Sequence, residues 1–262
     1  MSDALVANAQ LTPTPGTGAG GIVLSSTIHW FDSRNQKRAA RPNPALLNER
    51  FHENSANRVG EKYPGRRNFH GSYWFSGTAQ HVKFESGFEQ TALMVLDFDG
   101  DVAGIAAQPF LIDFGRKQSP STHVPDFFSV RRDGTQSVLD VRPVARLDDR
   151  ANASFLATGE VCRQIGWNYD VFAWIDPTYL KNVQWLAGYR HQRNAPPAEL
   201  ELTLLESYAQ PKRVGEVVVA LPRCNSALVV AWSYHLLWKR ALNINMRTPL
   251  TQQHLIQTVK YA

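Results

Sequence analysis

The chain has 262 residues, 43% of them hydrophobic, which is enough for one sizeable core or for a core domain and a small second one. A formal net charge of +5, from 28 Lys and Arg against 23 Asp and Glu, is a mild basic bias that fits a nucleic-acid partner without requiring one. No apolar run is long enough to span a bilayer, and the N-terminus lacks the basic and apolar segments of a signal peptide. We therefore expect a cytoplasmic protein without a membrane partner.

Residues 1–70 are predicted to be a flexible, partly disordered basic leader. Residues 1 to about 20 are rich in Ala, Thr, Pro and Gly, a composition typical of disorder. The sequence leaves two interpretations of the next part open, an arm that contacts phosphates and a solvated leader. Its basic residues include Arg34, Lys37, Arg38, Arg41, Arg50, Arg58, Arg66 and Arg67.

A helix is predicted after Val82, ending at Asp99-Gly100. Its apolar residues recur at helical spacing: Phe84, Phe88, Ala92, Val95 and Leu96. Ser86 and Glu89 are three residues apart, which is the spacing of a capping box. Glu89 also lies beside the apolar stripe, so it either caps the helix or projects over the surface that the helix covers.

Two strands, 102–108 and 110–114, are predicted to lead into a β-hairpin. The hairpin consists of the run 127–130, a turn around Asp133-Gly134 and the run 137–141. Asp126 precedes the first strand, and Asp140 and Arg142 share one face of the second because side chains alternate across a strand. We predict an odd-length loop or a bulge, since only these place Asp126 on that same face; a three-residue loop at 133–135 puts Asp126 opposite Arg142.

This hairpin carries candidate chemistry. Two neighbouring carboxylates suit Mg²⁺, which usually takes one or two protein carboxylates and keeps room for phosphate and water. A cation beside them stabilises the charge that develops on an attacked phosphate. The residues alone also fit a hairpin with solvated charges on its outer face.

A second helix is predicted to end at Gly166, with Cys162 as a buried free thiol on its apolar face. A strand at 169–175 and a helix at 180–189 follow. The order of helix, three or four strands, helix and strand predicts an α/β domain with a central mixed sheet.

Asn194-Ala195-Pro196-Pro197 is a candidate linker to a small C-terminal domain, residues 194–262. Helices are predicted around 200–208, at 214–221 and at 227–238, followed by a β wing from 241–245 and 248–250. The valine run in 214–221 would equally suit a strand. Three helices and a wing are the plan of a winged-helix domain. A structural helical appendage fits the same residues.

Four features in this order resemble the TnsA-like endonucleases of heteromeric transposases, which have the PD-(D/E)xK restriction-endonuclease-like fold. They are Glu85-Ser86-Gly87-Phe88-Glu89, Gln108-Pro109-Phe110, His123-Val124-Pro125-Asp126-Phe127 and Asp140-Val141-Arg142. The resemblance covers roughly residues 80–190, within a predicted nuclease domain at 71–193, and more loosely the tail.

The resemblance implies a Mg²⁺- or Mn²⁺-dependent endonuclease. Glu89, Asp126 and Asp140 correspond to the metal-binding acids, and Arg142 stands where the family has lysine. It further implies double-stranded DNA at transposon ends as substrate, and as partner a TnsB-like transposase subunit that cuts the other strand. His123 neighbours this site, either as a phosphate contact or as a cap on the turn before Pro125.

Two other functions remain open. One is a catalytically weak DNA-binding or adaptor subunit, which arginine at 142 favours because arginine stays protonated and cannot transfer a proton. The other is a stand-alone restriction or repair nuclease on the same core.

Overall fold

The computed structural model of the protein describes residues 26–54, 70–115 and 120–259. These residues form two compact units. The first contains 26–54, 70–93, 101–115 and 120–174, and the second contains 94–100 and 175–259. No helix within the described ranges is long and apolar enough to cross a membrane.

The first unit contains two four-stranded sheets, a separate hairpin and two helices. Its elements are β1 (Thr27–Phe31), β2 (Lys37–Ala40), β3 (Gly71–Phe75), β4 (Gln80–Phe84), α1 (Gly87–Asp99, whose residues from Met94 on belong to the second unit), β5 (Val102–Ala107), β6 (Leu111–Asp113), β7 (Thr122–His123), β8 (Phe127–Arg131), β9 (Gln136–Val141), α2 (Asp149–Ile165) and β10 (Asn168–Phe172). Phe84 lies in β4, so the helix begins at Gly87, after the first residue of the predicted apolar pattern.

The sheet that carries the hairpin has the order β10-β9-β8-β5. β5 and β8 pair antiparallel, as do β8 and β9, whereas β9 and β10 pair parallel. The predicted central mixed sheet is therefore present, and it takes β5, β8 and β9 from between the two helices and β10 from after the second. β6 and β7, which lie between β5 and β8 in sequence, belong to the other sheet, ordered β2-β1-β6-β7.

The β8–β9 hairpin has the predicted odd-length loop. Phe127 pairs with Leu139 and Val130 with Gln136. Arg131 N–H donates to Thr135 O at 2.8 Å, which leaves a three-residue loop, 132–134. Gly134 closes it with φ of +85°, a conformation that glycine adopts without steric cost. The loop starts one residue earlier than predicted, so extending the register brings Asp126 level with Asp140 rather than with Arg142.

The prediction of a flexible leader is wrong for residues 26–54. β1 pairs with β2 on one side and with β6 on the other. Ile28, Trp30, Leu46 and Phe51 are at most 4% exposed and belong to the same core as β8, β9 and α2. Burial of these large side chains supplies the free energy that orders the segment. The leader residues 1–25 and 55–69, including Arg58, Arg66 and Arg67, lie outside the described residues.

Helix α2 covers one face of this core. The Asp148 side chain accepts from Ala151 N–H at 2.7 Å and so caps its N-terminus. Gly166 ends it as predicted, with φ of +98°. Cys162 is a free, buried cysteine on its apolar face, which confirms that prediction.

The second unit contains four further helices, α3 (Pro177–Ala187), α4 (Ala198–Ser207), α5 (Val214–Ala220) and α6 (Ser226–Trp238), and the strand pair β11 (Leu242–Asn243) and β12 (Gln257–Thr258). The three helices after residue 197 confirm the predicted helical segments. The strand partner of β11 lies at 257–258 rather than at 248–250. Residues 248–250 instead bind α3, because Asn182 Nδ2 donates to Thr248 O and Leu250 N–H donates to Asn182 Oδ1.

Candidate functional site

Asp126 lies at the end of the central sheet, directly before β8. Its side-chain Oδ2 accepts from Val141 N–H at 2.7 Å, so the carboxylate continues the ladder to the last residue of β9. Its backbone oxygen accepts from Gln108 N–H at 2.8 Å, which ties it to the end of β5 as well. Asp126 is thus fixed between two strands. No described residue donates a hydrogen bond to the other oxygen, Oδ1.

Asp140 is held in the interior by two partners. The residue is 1% exposed. His123 Nε2 lies 2.9 Å from each of its carboxylate oxygens, and Tyr169 Oη donates to Oδ2 at 2.6 Å. A buried carboxylate requires such partners, since desolvation of an unpaired charge is very costly. His123 therefore binds Asp140 through Nε2, a contact that the sequence did not predict.

Glu89 forms the capping box that its spacing predicted. Its Oε2 accepts from Glu85 N–H at 2.7 Å and its Oε1 accepts from Ser86 Oγ at 2.9 Å, while Glu89 N–H donates to Ser86 Oγ at 3.1 Å. Burial raises the pKa of Glu89, although these hydrogen bonds oppose the shift. Each oxygen accepts one hydrogen bond and keeps a lone pair, so capping leaves room for one more ligand.

The acids interact through their charges. The pKa of Asp126 is raised well above the usual carboxyl value, first by burial, then by the negative charge of Asp140 and then by that of Glu89. Like charges disfavour ionisation of a neighbour in this way. The carboxylates around the start of β8 therefore repel one another, and a bound cation would relieve that repulsion.

Arg142 does not face these carboxylates. Its Nε donates to Arg146 O at 2.8 Å, and a terminal nitrogen lies 3.6 Å from Asp148, the cap of α2. The guanidinium, with 42% of its side chain exposed, is bound to the segment that starts α2. Asp140 and Glu89 are thus close enough to Asp126 for their charges to raise its pKa. The Arg142 side chain binds the segment that starts α2 instead.

In the described ranges, no group of three or more His, Cys, Asp and Glu side chains has the arrangement of a metal site. The donor set fits Mg²⁺ in the mode that uses only one or two protein carboxylates. Asp126, with an unbonded oxygen, and Glu89, with spare lone pairs, are the two carboxylates that could hold such an ion. The oxygens of Asp140 accept hydrogen bonds from His123 and Tyr169. Asp140 therefore acts on Asp126 through its charge.

Tyr169 is the site residue that sequence reasoning missed. β10 runs parallel to β9 and pairs Tyr169 with Val138, so its side chain lies on the same face as Asp140, two residues further on. A tyrosine at the start of a strand that follows a crossover helix is the signal that could have found it. Burial, and next the charge of Asp140, raise the pKa of Tyr169, which keeps its hydroxyl protonated as a donor.

Comparison with protein-family models and with curated protein sequences found no match to this chain.

Proposed function

We propose that the protein is a metal-dependent endonuclease that hydrolyses a phosphodiester bond of double-stranded DNA. The observation that carries the proposal is Asp126, which is fixed between the ends of β5 and β9 and whose pKa is raised by its own burial and by the charges of Asp140 and Glu89. Carboxylates gathered at this cost are characteristic of functional sites. The order of helices and strands along the chain, which builds a mixed sheet, supports the same proposal.

The roles follow from the contacts. Asp126 and Glu89 are the residues that would hold Mg²⁺ or Mn²⁺, and the metal when bound supplies Lewis-acid activation of water and of phosphate oxygens. Val141 N–H orients Asp126, and Ser86 orients Glu89. His123 and Tyr169 hold the Asp140 carboxylate in place behind them. Cleavage at transposon ends with a TnsB-like transposase subunit remains part of the proposal on the strength of the resemblance.

A specific observation favours a second candidate, a DNA-binding or adaptor subunit of weak catalytic power. The Arg142 guanidinium is engaged by Arg146 O and Asp148, so the position that has lysine in the resembled family contributes no cation to the carboxylates. Under this alternative, Arg142→Lys raises cleavage above the wild-type rate, because lysine is a compact cation that approaches a phosphate closely. Under the leading proposal, the wild type already cleaves.

Calorimetric titration with Mn²⁺ tests the metal site, using the wild type, Asp126→Asn and the control Asp133→Asn. Asp133 lies in the loop of the same hairpin and is exposed, so its variant matches the change in charge without touching the site. We expect binding by the wild type and by the Asp133 variant, and at least about tenfold weaker binding by the Asp126 variant.

Cleavage of a duplex bearing labelled ends, with and without added transposase, then tests the reaction. Equal Mn²⁺ binding by all three proteins contradicts the proposed site. So does a lack of binding by the wild type when a DNA duplex is present to complete the coordination.

A further inference from the structure

The open end of the β3–β4 hairpin lies beside the candidate site. β3 and β4 pair antiparallel, with Gly71 opposite Phe84. Extending this register by one residue places His70 level with Glu85. The backbone N–H of Glu85 donates to Glu89 Oε2 at 2.7 Å, so the same end of the hairpin holds the Glu89 carboxylate. Strand pairing therefore brings His70 next to one of the proposed metal-binding acids.

His70 lies on the solvent-facing side of this hairpin. Phe84 is buried on the other side, where its ring covers Gly71 so closely that a Cβ atom at that glycine would collide with it. Side chains alternate along a strand, so His70 and Glu85 both point away from the buried side. His70 is exposed and Glu85 is half-buried. A ligand in solvent can therefore reach the imidazole.

His70 also acts on the site through its charge. Burial is the largest effect on Glu89 and raises its pKa, and the positive charge that His70 carries when protonated is among the effects that oppose this rise. Within the described ranges, no Lys or Arg side chain forms an ion pair with Glu89 or Asp126. His70 is thus a basic group within electrostatic reach of Glu89, at a place where the structure provides no lysine or arginine.

A DNA phosphate at this site needs a hydrogen-bond donor. It approaches carboxylates of its own sign, and a nearby N–H group offsets that repulsion. Arg142 does not provide the group, because its guanidinium binds the segment that starts α2. Histidine donates at least one ring N–H whether it is protonated or neutral, and its hydrogen bond to a phosphate oxygen is charge-assisted. His70 has this chemistry and is exposed.

We propose that His70 donates a hydrogen bond to a non-bridging oxygen of the DNA phosphate that lies at Asp126 and Glu89, the contact that Arg142 does not make. The identity of the ligand rests on the proposed function, whereas the position of His70 beside Glu85 does not. A purely structural role, in which His70 only offsets the charges of the two glutamates, predicts a different result when His70 is replaced.

The test compares the wild type with His70→Ala, His70→Gln and the control His81→Ala. His81 is exposed on the same side of the hairpin, four residues from Glu85, or about 13 Å away at 3.3 Å per residue. Three quantities are measured for each protein. They are the single-turnover cleavage rate of an end-labelled duplex, the affinity for that duplex by fluorescence anisotropy with Ca²⁺ as the metal, and the affinity for Mn²⁺ by calorimetry.

We expect His70→Ala to cleave about 100-fold more slowly, because it removes a donor from the reacting phosphate, and to bind the duplex about 3- to 10-fold more weakly. His70→Gln keeps a donor and should recover at least about tenfold of the cleavage rate. Mn²⁺ binding should not weaken in any variant, since removing a basic group does not repel a cation. His81→Ala should match the wild type in all three measurements.

The proposal is overturned if His70→Ala cleaves and binds the duplex like His81→Ala. A His70→Ala variant that loses Mn²⁺ binding together with cleavage also overturns it and assigns His70 the structural role. If the wild type binds Mn²⁺ and the duplex without cleaving, the endonuclease proposal falls, and the duplex affinities alone decide whether His70 contacts phosphate. If the wild type binds no duplex, both proposals fall.

Discussion

At the scale of single residues, the site depends on how a buried carboxylate is kept in the fold. Asp140 is almost fully buried, yet it accepts hydrogen bonds at both oxygens. Tyr169 supplies one of them from the neighbouring parallel strand. Hydrogen bonds to a charged group are stronger than those between neutral groups. Removing one partner of such a bond therefore costs more stability.

We expect Tyr169→Phe to lower the free energy of unfolding by about 1.5–3 kcal/mol, because it removes a 2.6 Å hydrogen bond from a buried carboxylate and adds no cavity. Urea unfolding at pH 7 measures the change. Tyr189→Phe serves as the matched control, since no described residue forms a hydrogen bond with the Tyr189 hydroxyl. Equal stability of both variants and the wild type would show that Asp140 does not depend on Tyr169.

Asp126 makes stability depend on pH. Because its folded pKa is raised, the folded protein keeps a proton that the unfolded chain releases above its ordinary carboxyl pKa, about 4. The free energy of unfolding therefore falls as pH rises from about 4 to the raised value, and stays lower above it. Asparagine at 126 can still accept from Val141 N–H but cannot ionise.

We expect Asp126→Asn to match the wild type at about pH 4 and to be the more stable protein at pH 8, in metal-free urea unfolding. Asp133→Asn should instead be less stable than the wild type at pH 8. A hydrogen bond from Thr135 N–H holds the pKa of Asp133 below its usual value, so ionised Asp133 adds stability at higher pH that its variant lacks. A wild type whose stability rises from pH 4 to 8 as much as that of Asp126→Asn contradicts this account.

At the scale of elements, the segment 26–54 is part of the core on which the site is built. Phe51 is fully buried in its short 3₁₀-helix. Its ring centroid lies 5.2–5.5 Å from those of four aromatic residues, Trp30, Phe110, Phe128 and Trp167. These partners come from β1, β8 and the segments that precede β6 and β10, so one side chain joins the two sheets of the first unit.

We expect Phe51→Ala to lower the free energy of unfolding by about 3–5 kcal/mol, since it leaves a cavity among aromatic rings that cannot close around it. Leu47→Ala, at a residue 39% exposed in the preceding 3₁₀-helix, should cost far less. Chemical denaturation followed by tryptophan fluorescence measures both. A loss below about 1 kcal/mol for Phe51→Ala would mean that the segment is not part of the cooperative core.

The elements also show what the sequence could predict. The β8–β9 hairpin was predicted with its odd-length loop because turn chemistry is local: Gly134 accepts a positive φ and the alternation fixes the face. The capping box at Ser86 and Glu89 was readable for the same reason. The strands in the segment 26–54 could not be predicted from the sequence. Trp30 and Phe51 lie among charged residues, and their partners are distant in sequence.

The same distinction applies within the candidate site. Asp126 and Asp140 were predictable because they belong to one hairpin. The contact of Asp140 with His123 and Tyr169 depends on three separate strands, and the direction of the Arg142 side chain depends on the cap of α2. Side-chain alternation gives a face of a strand, but it does not give the partner that competes for the side chain there.

At the scale of the whole molecule, the chain divides at a different place from the Pro-rich linker that the sequence suggested. The prediction placed the boundary between 193 and 194, whereas the second unit already begins at Ile175 and includes α3. Asn182 on α3 is the reason. It is 3% exposed, and its side chain makes three hydrogen bonds to the backbone of 246–250.

Such contacts make the loop 246–250 and α3 one folding unit, because they bridge more than 60 residues of sequence. The contact partners are backbone groups, which any residue of the loop provides. The boundary is therefore invisible in composition, and Pro196 and Pro197 mark only the irregular connection that precedes α4. A fragment that ends at residue 193 would leave Asn182 without these three partners.

We expect Asn182→Ala to lower the free energy of unfolding by about 2–4 kcal/mol, since it removes three hydrogen bonds and leaves buried backbone groups of the loop unpaired. Gln184→Ala is the matched control, because Gln184 is exposed on the same helix and differs from Asn182 in its surroundings rather than in its chemistry. Thermal and urea unfolding of the full chain measure both variants. An Asn182 variant as stable as the Gln184 control would place α3 outside the second unit and restore a boundary near residue 194.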